Sequence, residues 1–325
     1  MKKIWAVLTA VSLSISLAAC SKTQNESAAE QAAPAVKLEK LKIGYQKAAL
    51  KLIVAKQNHA FEQAFPNVQV EWKEFPAGPQ TLEALNAGSI DFGYTGDTPV
   101  IFALSGNKPI EYLAYEINSK NSHSLLVPKS SALQNIQDLK GKRIAVTKGS
   151  SAHYFLAQIL NKAGLSWQDI QPIWLTPADA RAALDRSSID AWAVWDPYSS
   201  AAELKGDSRI LFDSQKLPPA YSFYLSSPAF LKAQPAAAHK IIETLNTTDD
   251  WINAHPAETV QILAKSTGLE SAVAEKVLSK RASPVKAKLL DSATIAEQQK
   301  IADLFANLKL IPNAVVLKEH VWDGK

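Results

Sequence analysis

Hydrophobic and polar positions along the chain follow two periods that take turns. Val68, Val70 and Trp72 alternate with Gln69, Glu71 and Lys73, the period of two that predicts a half-buried strand. Short runs of strand length recur at Leu41–Tyr45, Ser89–Phe92, Ile110–Tyr115, Ser124–Pro128, Arg143–Val146, Ile170–Trp174, Ile189–Val194, Arg209–Phe212 and Ser222–Leu225. Between them lie stretches with apolar residues at helical spacing. Ala48–Phe65 stops at Pro66, Gln80–Ala87 is closed by Gly88, Val100–Leu104 takes Pro99 as its first position, and Ser151–Ala163 is closed by Gly164. Thr176-Pro177-Ala178-Asp179 is a capping box that opens a helix ending near Leu184. From Pro228 the pattern is mainly helical, with helices predicted over Pro235–Ala254, Pro256–Thr267, Ser271–Lys280 and Ile295–Leu308.

Strand and helix thus alternate in two series, which predicts an α/β fold with two lobes and largely parallel sheets. A short echo fits this. Ala84–Asp91 (ALNAGSID) is matched by Ala183–Asp190 (ALDRSSID), and in each copy a helix precedes the match and a strand follows it. Asp91 and Asp190 read as turn or strand-end residues without chemistry. No linker of disordered composition sets the last helices apart, so they are expected to pack on the first lobe, with the chain crossing twice between lobes. The expected division is residues 39–122 with 222–325 in one lobe and 123–221 in the other.

The amino-terminal end changes the picture. Lys2 and Lys3 precede an apolar run, Ile4–Ala19, too short for a membrane span but suited to a signal peptide over residues 1–19. Leu17-Ala18-Ala19-Cys20 resembles a bacterial lipobox, which implies cleavage before Cys20 and lipidation of that residue. Cys20 is the only cysteine, so no internal disulfide forms. Ser21–Ala35 is polar and lacks hydrophobic period, and residues 20–38 read as lipidated cysteine plus tether, with a reach of roughly 20–25 Å. The formal charge of +4 includes the two signal lysines, and no basic block appears, so a nucleic-acid partner is not expected.

Candidate chemistry gathers at two strand-to-helix junctions. Lys148–Leu160 (KGSSAHYFLAQIL) runs from a small-residue loop into a helix. A helix start carries unpaired N–H groups and about half a positive charge, enough to hold a sulfonate, phosphate or carboxylate without a basic side chain. The plainer use of Ser150 or Ser151 is an N-cap, worth about 1 kcal/mol. Gly93-Tyr94-Thr95-Gly96-Asp97-Thr98-Pro99 has the same form; Asp97 reads as a capping carboxylate, and Tyr94, Thr95 and Gly96 are the better ligand candidates. His153 lies in the first turn after Ser151, either near that ligand or as a solvated helix-start histidine. In Ala191–Tyr198, Trp192 and Trp195 point to opposite strand faces, one for the core and one for a cleft, or both for cores. None of the six histidines has metal-ligand spacing, and the chain has no GxSxG, Ser-x-x-Lys, P-loop or GxGxxG. No cofactor, metal or catalytic residue is assigned.

Six ordered blocks carry a family resemblance: IGYQK (43–47), EFPAGPQTLEALNAGSIDFGYTGDTP (74–99), KGSSAH (148–153), LTPADARAA (175–183), DAWAVWDPY (190–198) and SFYL (222–225). In these the chain resembles the periplasmic aliphatic sulfonate-binding proteins of ABC importers, within the nitrate/sulfonate/taurine group. The resemblance implies a type II periplasmic-binding-protein fold, with hinge crossovers near Asn121–Ser124 and Leu217–Ser222 and a ligand in the interlobe cleft. It implies that Gln46, Gly78, Thr95, Gly96, Ser150, Ser151, His153 and Trp192 lie nearest the ligand. Tyr94 stands where a smaller residue is expected and would narrow the cleft. Implied too are a monomer that captures a small organosulfonate anion for sulfur uptake, a permease and its ATPase as partners, and a lipid anchor on the periplasmic side. Alternatives are taurine, nitrate or another small anion or metabolite, or a thiamine-pyrimidine-synthase-like enzyme using a histidine and pyridoxal phosphate.

Overall fold

The computed structural model of the chain describes residues 37–325. The expected signal peptide, Cys20 and nearly all of the tether lie outside the described residues. The strands are β1 (Lys40–Tyr45), β2 (Gln69–Glu74), β3 (Phe92–Gly96), β4 (Glu111–Ile117), β5 (His123–Pro128), β6 (Arg143–Val146), β7 (Gln171–Trp174), β8 (Ala191–Trp195), β9 (Ser208–Asp213) and β10 (Tyr221–Ser226). The helices are α1 (Leu50–Gln57), α2 (Ala60–Ala64), α3 (Gly78–Asn86), α4 (Asp97–Ser105), α5 (Ser151–Ala163), α6 (Pro177–Asp185), α7 (Tyr198–Lys205), α8 (Pro228–Ala233), α9 (Pro235–Ala254), α10 (Pro256–Thr267), α11 (Ser271–Lys280) and α12 (Ser292–Asn307).

The strands form two five-stranded sheets of the same plan, ordered β2-β1-β3-β10-β4 and β7-β6-β8-β5-β9. In the first, β1 runs parallel to β2 and β3, and β10 runs against β3 and β4. In the second, β6 runs parallel to β7 and β8, and β5 runs against β8 and β9. Each sheet is therefore largely parallel but mixed, with four strands running one way and β10 or β5 alone against them. The antiparallel strands β5 and β10 are those on which the chain arrives from the other lobe. It crosses once between Ile117 and His123 and returns between Asp213 and Tyr221.

Apolar side chains divide the same way. One core cluster, with Leu125, Ala145, Phe155, Leu156, Trp192 and Val194, belongs to the second sheet and its helices. The first sheet is covered on both faces, by α1, α9 and α10 around Leu52, Ile241 and Leu263 and by α4 and α12 around Ile101 and Phe305. The sequence echo becomes one hydrogen-bond device used twice. Asp91 Oδ2 accepts from the Lys42 N–H at 2.7 Å and Asp190 Oδ2 from the Arg143 N–H at 2.8 Å, each tying the start of a central strand to its neighbour.

Three local expectations change. The helix predicted over Ala48–Phe65 breaks at His59, which takes a left-handed φ of 54° between α1 and α2. The glycine-rich stretch after Phe92 is not a loop. Gly93–Gly96 is the body of β3, and a Cβ on Gly93 would stand 2.8 Å from Thr81 Cγ2, so glycine here admits α3 against the sheet. As a result α4 starts directly at Asp97, with Pro99 third rather than first. Helix α7 was not predicted from the pattern.

Candidate functional site

Strand ends and helix starts from both lobes converge on one cleft. It is lined by Gln46, Ala48 and Lys51 around the start of α1, Gly78 of α3, Tyr94 and Gly96 of β3, Ser150 and Ser151 of α5, and His123 and Trp195 of the second sheet. Asn118 and Ser122 line it from the first crossover and Ser222 from the start of β10. Four helices thus begin on the cleft: α1, α3, α4 and α5. None of their N-cap residues, Ala49, Ala77, Gly96 and Ser150, gives its own helix a side-chain hydrogen bond. Ser150, the one cap with a hydroxyl, donates it to the Thr147 carbonyl at 2.7 Å instead. First-turn amides with no side-chain acceptor are the anion-binding form of a helix start; α1, α3 and α5 have it, whereas in α4 the Asp97 carboxylate takes the Thr98 N–H.

The lobes meet across this cleft. A Cβ on Gly96 would stand 2.8 Å from Ser151 Cβ, and Gly149 lies close to Phe102 and Pro79 of the other lobe. Gly78 is required by crowding, since a Cβ there would stand 2.5 Å from Thr95 Oγ1. Gln46 Nε2 donates to the Tyr94 carbonyl at 2.8 Å, leaving a second amide proton. The Tyr94 hydroxyl donates to Ser222 Oγ, which donates to Asn118 Oδ1, both at 2.8 Å. Burial and the nearby Glu116 carboxylate raise the Tyr94 phenol far above its ordinary range. Tyr94 thus lines the cleft with its hydroxyl held in place.

Opposite charges are paired around the cleft. Lys51 and Glu116 form a buried ion pair at 2.6 Å, and Lys280 meets Asp196 at 2.8 Å. Asp196 Oδ1 also accepts from the Ser200 N–H at 3.0 Å and from the Ser199 and Ser200 hydroxyls, capping α7. Asp97, expected as a cap, accepts from the Thr98 N–H at 2.6 Å and lines a second cavity behind the cleft, shared with His123 and Ser151. Burial lifts its carboxyl to about 7.

Of the residues singled out by sequence, Gln46, Gly78, Tyr94, Gly96, Ser150 and Ser151 come together here, and Thr95, His153 and Trp192 do not. Thr95 is fully buried, its hydroxyl donated to the Gly96 carbonyl at 3.0 Å. His153 turns away from the cleft into a box of Phe102, Phe305, Trp167 and Trp174, with ring centres 4.8–5.6 Å away. Its Nδ1 accepts from the Gly149 N–H at 3.2 Å, so Nε2 carries the proton, and burial holds the ring's pKa down to about 3. Trp192 is in the core of the second lobe at 1% exposure. The cleft lies beyond the carboxyl end of β8, where open α/β sheets place their ligands, and it is Trp195 that reaches it. Sequence reasoning also passed over His123, whose signal was its place as the first strand residue after a crossover. Among the described residues no cluster of His, Cys, Asp or Glu is suited to a metal, and no helix is long and apolar enough to cross a membrane.

Comparison with known proteins places this geometry among relatives. The family described as NMT1/THI5 like matches residues 47–259. A protein of Escherichia coli (strain K12) named for binding aliphatic sulfonates is 40% identical over 284 residues, 87% of this chain and 89% of that one. One of the same name from Bacillus subtilis (strain 168) is 31% identical over 288 residues, 87% of this chain and 86% of that one. The solved structure of the alkanesulfonate-binding protein of Xanthomonas axonopodis pv. citri bound to MOPS superposes with a TM-score of 0.85 at 42% identity, covering 89% of this chain and 99% of that one.

Proposed function

The chain belongs to the NMT1/THI5-like family, and from that premise we propose that it is the substrate-binding protein of an ABC importer, capturing aliphatic sulfonates between its lobes. The observation that carries this reading is the convergence of helix starts from both lobes on one interlobe cleft, three of them (α1, α3 and α5) with no side chain on their first-turn amides. A sulfonate is a permanent anion, so neutral amide and hydroxyl donors hold it without proton exchange. The names of the 40% and 42% identical relatives support the same substrate class.

On this reading Gln46, the amides around Gly78 and Gly96, and the Ser151 hydroxyl with the first-turn amides that follow Ser150 hold the head group, with Trp195 and Tyr94 flanking the carbon tail. Closure brings the donors of both lobes onto one anion and removes water, which strengthens each charge–dipole contact. The closed form presents both lobes to a membrane permease coupled to an ATPase. Export to the periplasmic side and lipidation at Cys20 complete the proposal: a monomer on a lipid anchor. The synthase-like alternative drew on His153, whose side chain packs away from the cleft.

Titration calorimetry with ethanesulfonate and a longer alkanesulfonate tests the reading. Saturable binding of either, lost or weakened by about tenfold in Ser151→Ala, is expected. No heat from either with the wild-type chain would overturn it. For the anchor, Cys20→Ser is expected to move the protein from the membrane fraction to the soluble one.

A further inference from the structure

His123 is buried at the point where the chain enters the second lobe, and both ring nitrogens are engaged. Nδ1 lies 2.9 Å from Ser122 Oγ and Nε2 lies 2.8 Å from Ser151 Oγ. Both serines line the cleft, so the ring joins two cleft hydroxyls through its interior side. Burial holds the imidazole pKa down to about 4 against the opposing pull of Asp196, so at neutral pH the ring has one N–H.

The chain Ser122–His123–Ser151 then holds three protons and makes two hydrogen bonds, which leaves one proton over. It has two polarities. In one, Ser122 donates to Nδ1, Nε2–H donates to Ser151 Oγ, and the Ser151 hydroxyl proton is free for the cleft. In the other, Nδ1–H donates to Ser122 Oγ, Ser151 donates to Nε2, and Ser151 offers the cleft only lone pairs. The second polarity frees the Ser122 proton instead, so an oxyanion seated at Ser151, which repels lone pairs and accepts from a donor, is compatible with the first polarity alone.

We infer that His123 is a positioning residue that makes Ser151 a donor: an oxyanion in the cleft fixes the His123 ring as the Nε2–H tautomer, with Ser122 as its source of order on the far side. The inference rests on the reading of the cleft as a sulfonate site, and it adds a residue and a tautomer to it. Without the ring's N–H, the Ser151 hydroxyl can spend its proton on a neighbour inside the protein, and the anion loses that hydrogen bond.

The test is long-range ¹H–¹⁵N correlation of the histidine rings in the full chain, free and saturated with ethanesulfonate, with calorimetry on variants. His123→Gln keeps an N–H donor directed toward Ser151, and His123→Leu keeps bulk without one. Expected are an Nε2–H His123 ring in the complex, affinity within about threefold of wild type for the Gln variant, and a loss of about tenfold or more for the Leu variant. Ethanesulfonate bound with His123 as the Nδ1–H tautomer overturns the inference and leaves the sulfonate reading standing, as does wild-type affinity in His123→Leu. Should the Leu variant not fold, the tautomer decides. Absence of ethanesulfonate binding by the wild-type chain overturns both.

Discussion

Gly96 of the first lobe lies directly against Ser151 of the second, so near that a Cβ on Gly96 would come within 2.8 Å of Ser151 Cβ and 3.0 Å of its Oγ. Gly96 has an ordinary φ of −72°, so its smallness is needed for the interlobe approach and not for backbone strain. A β-branched residue there should leave each lobe intact and hold the two apart. Gly96→Val is expected to bind ethanesulfonate at least about tenfold more weakly, with a larger radius of gyration by X-ray scattering in the presence of ligand. Wild-type affinity in this variant would show that closure does not need the contact.

Trp192 and Trp195 are three residues apart on one strand and do different work. Trp192 is wholly inside the second core, and truncating it to Ala should cost about 3–5 kcal/mol of stability. Trp195 borders the cleft and meets Tyr198 edge-on at 5.9 Å. Trp195→Ala should lower affinity for longer-tailed sulfonates more than for ethanesulfonate, with a smaller loss of melting temperature than Trp192→Ala. Equal losses of stability and no selectivity change would contradict this division.

That pair also shows where sequence stops. Alternation along Ala191–Trp195 identifies two faces, but β8 is central and buried on both, so periodicity cannot say which tryptophan meets the ligand. The helix starts were legible because Ser151–Ala163 and Gly164 carry their own start and stop signals, and the structure keeps those bounds. The Asp91 and Asp190 echo was legible because each carboxylate serves the strand next to it. His123 was not, because its role depends on Ser151, which lies 28 residues further along the chain. The packing of His153 is hidden from the sequence for a related reason: its partners Phe102 and Phe305 belong to the other lobe. Gly93 and Gly96 read as a loop in the sequence because glycine marks both turns and close packing, and only tertiary contact separates the two.

Lys51 and Glu116 pair within the protein at 2.6 Å beside the cleft, and the Tyr224 hydroxyl also donates to Glu116, at 2.9 Å. Removing one charge strands the other in a buried setting. Lys51→Met should cost about 3–5 kcal/mol, and adding Glu116→Gln should restore most of it, since replacing both partners removes the stranded charge. Chemical denaturation of the two single variants and the double variant measures the coupling. Additive losses would mean the ion pair is solvated rather than buried.

Acid sensitivity should come from the lobe interface. His123 and His153 have pKa values held down to about 4 and about 3 from an ordinary 6.5, mainly by burial. Between about pH 4 and 6.5 the unfolded chain therefore binds protons these rings refuse, and stability falls as pH falls. Asp97 works in the opposite sense. Its carboxyl, raised from 3.8 to about 7, holds a proton that the unfolded chain has released, so its contribution is lost as pH rises through that range. Two groups oppose one, and each contributes at most about 1.4 kcal/mol per pH unit, so these three together lower the melting temperature from pH 6.5 to 4.5. His153→Phe, which fits the aromatic box and does not titrate, should flatten that slope, and Asp97→Asn should steepen it. Thermal scans of the three proteins across this range measure both changes, and parallel curves for all three would remove the interface residues as the source of the acid response.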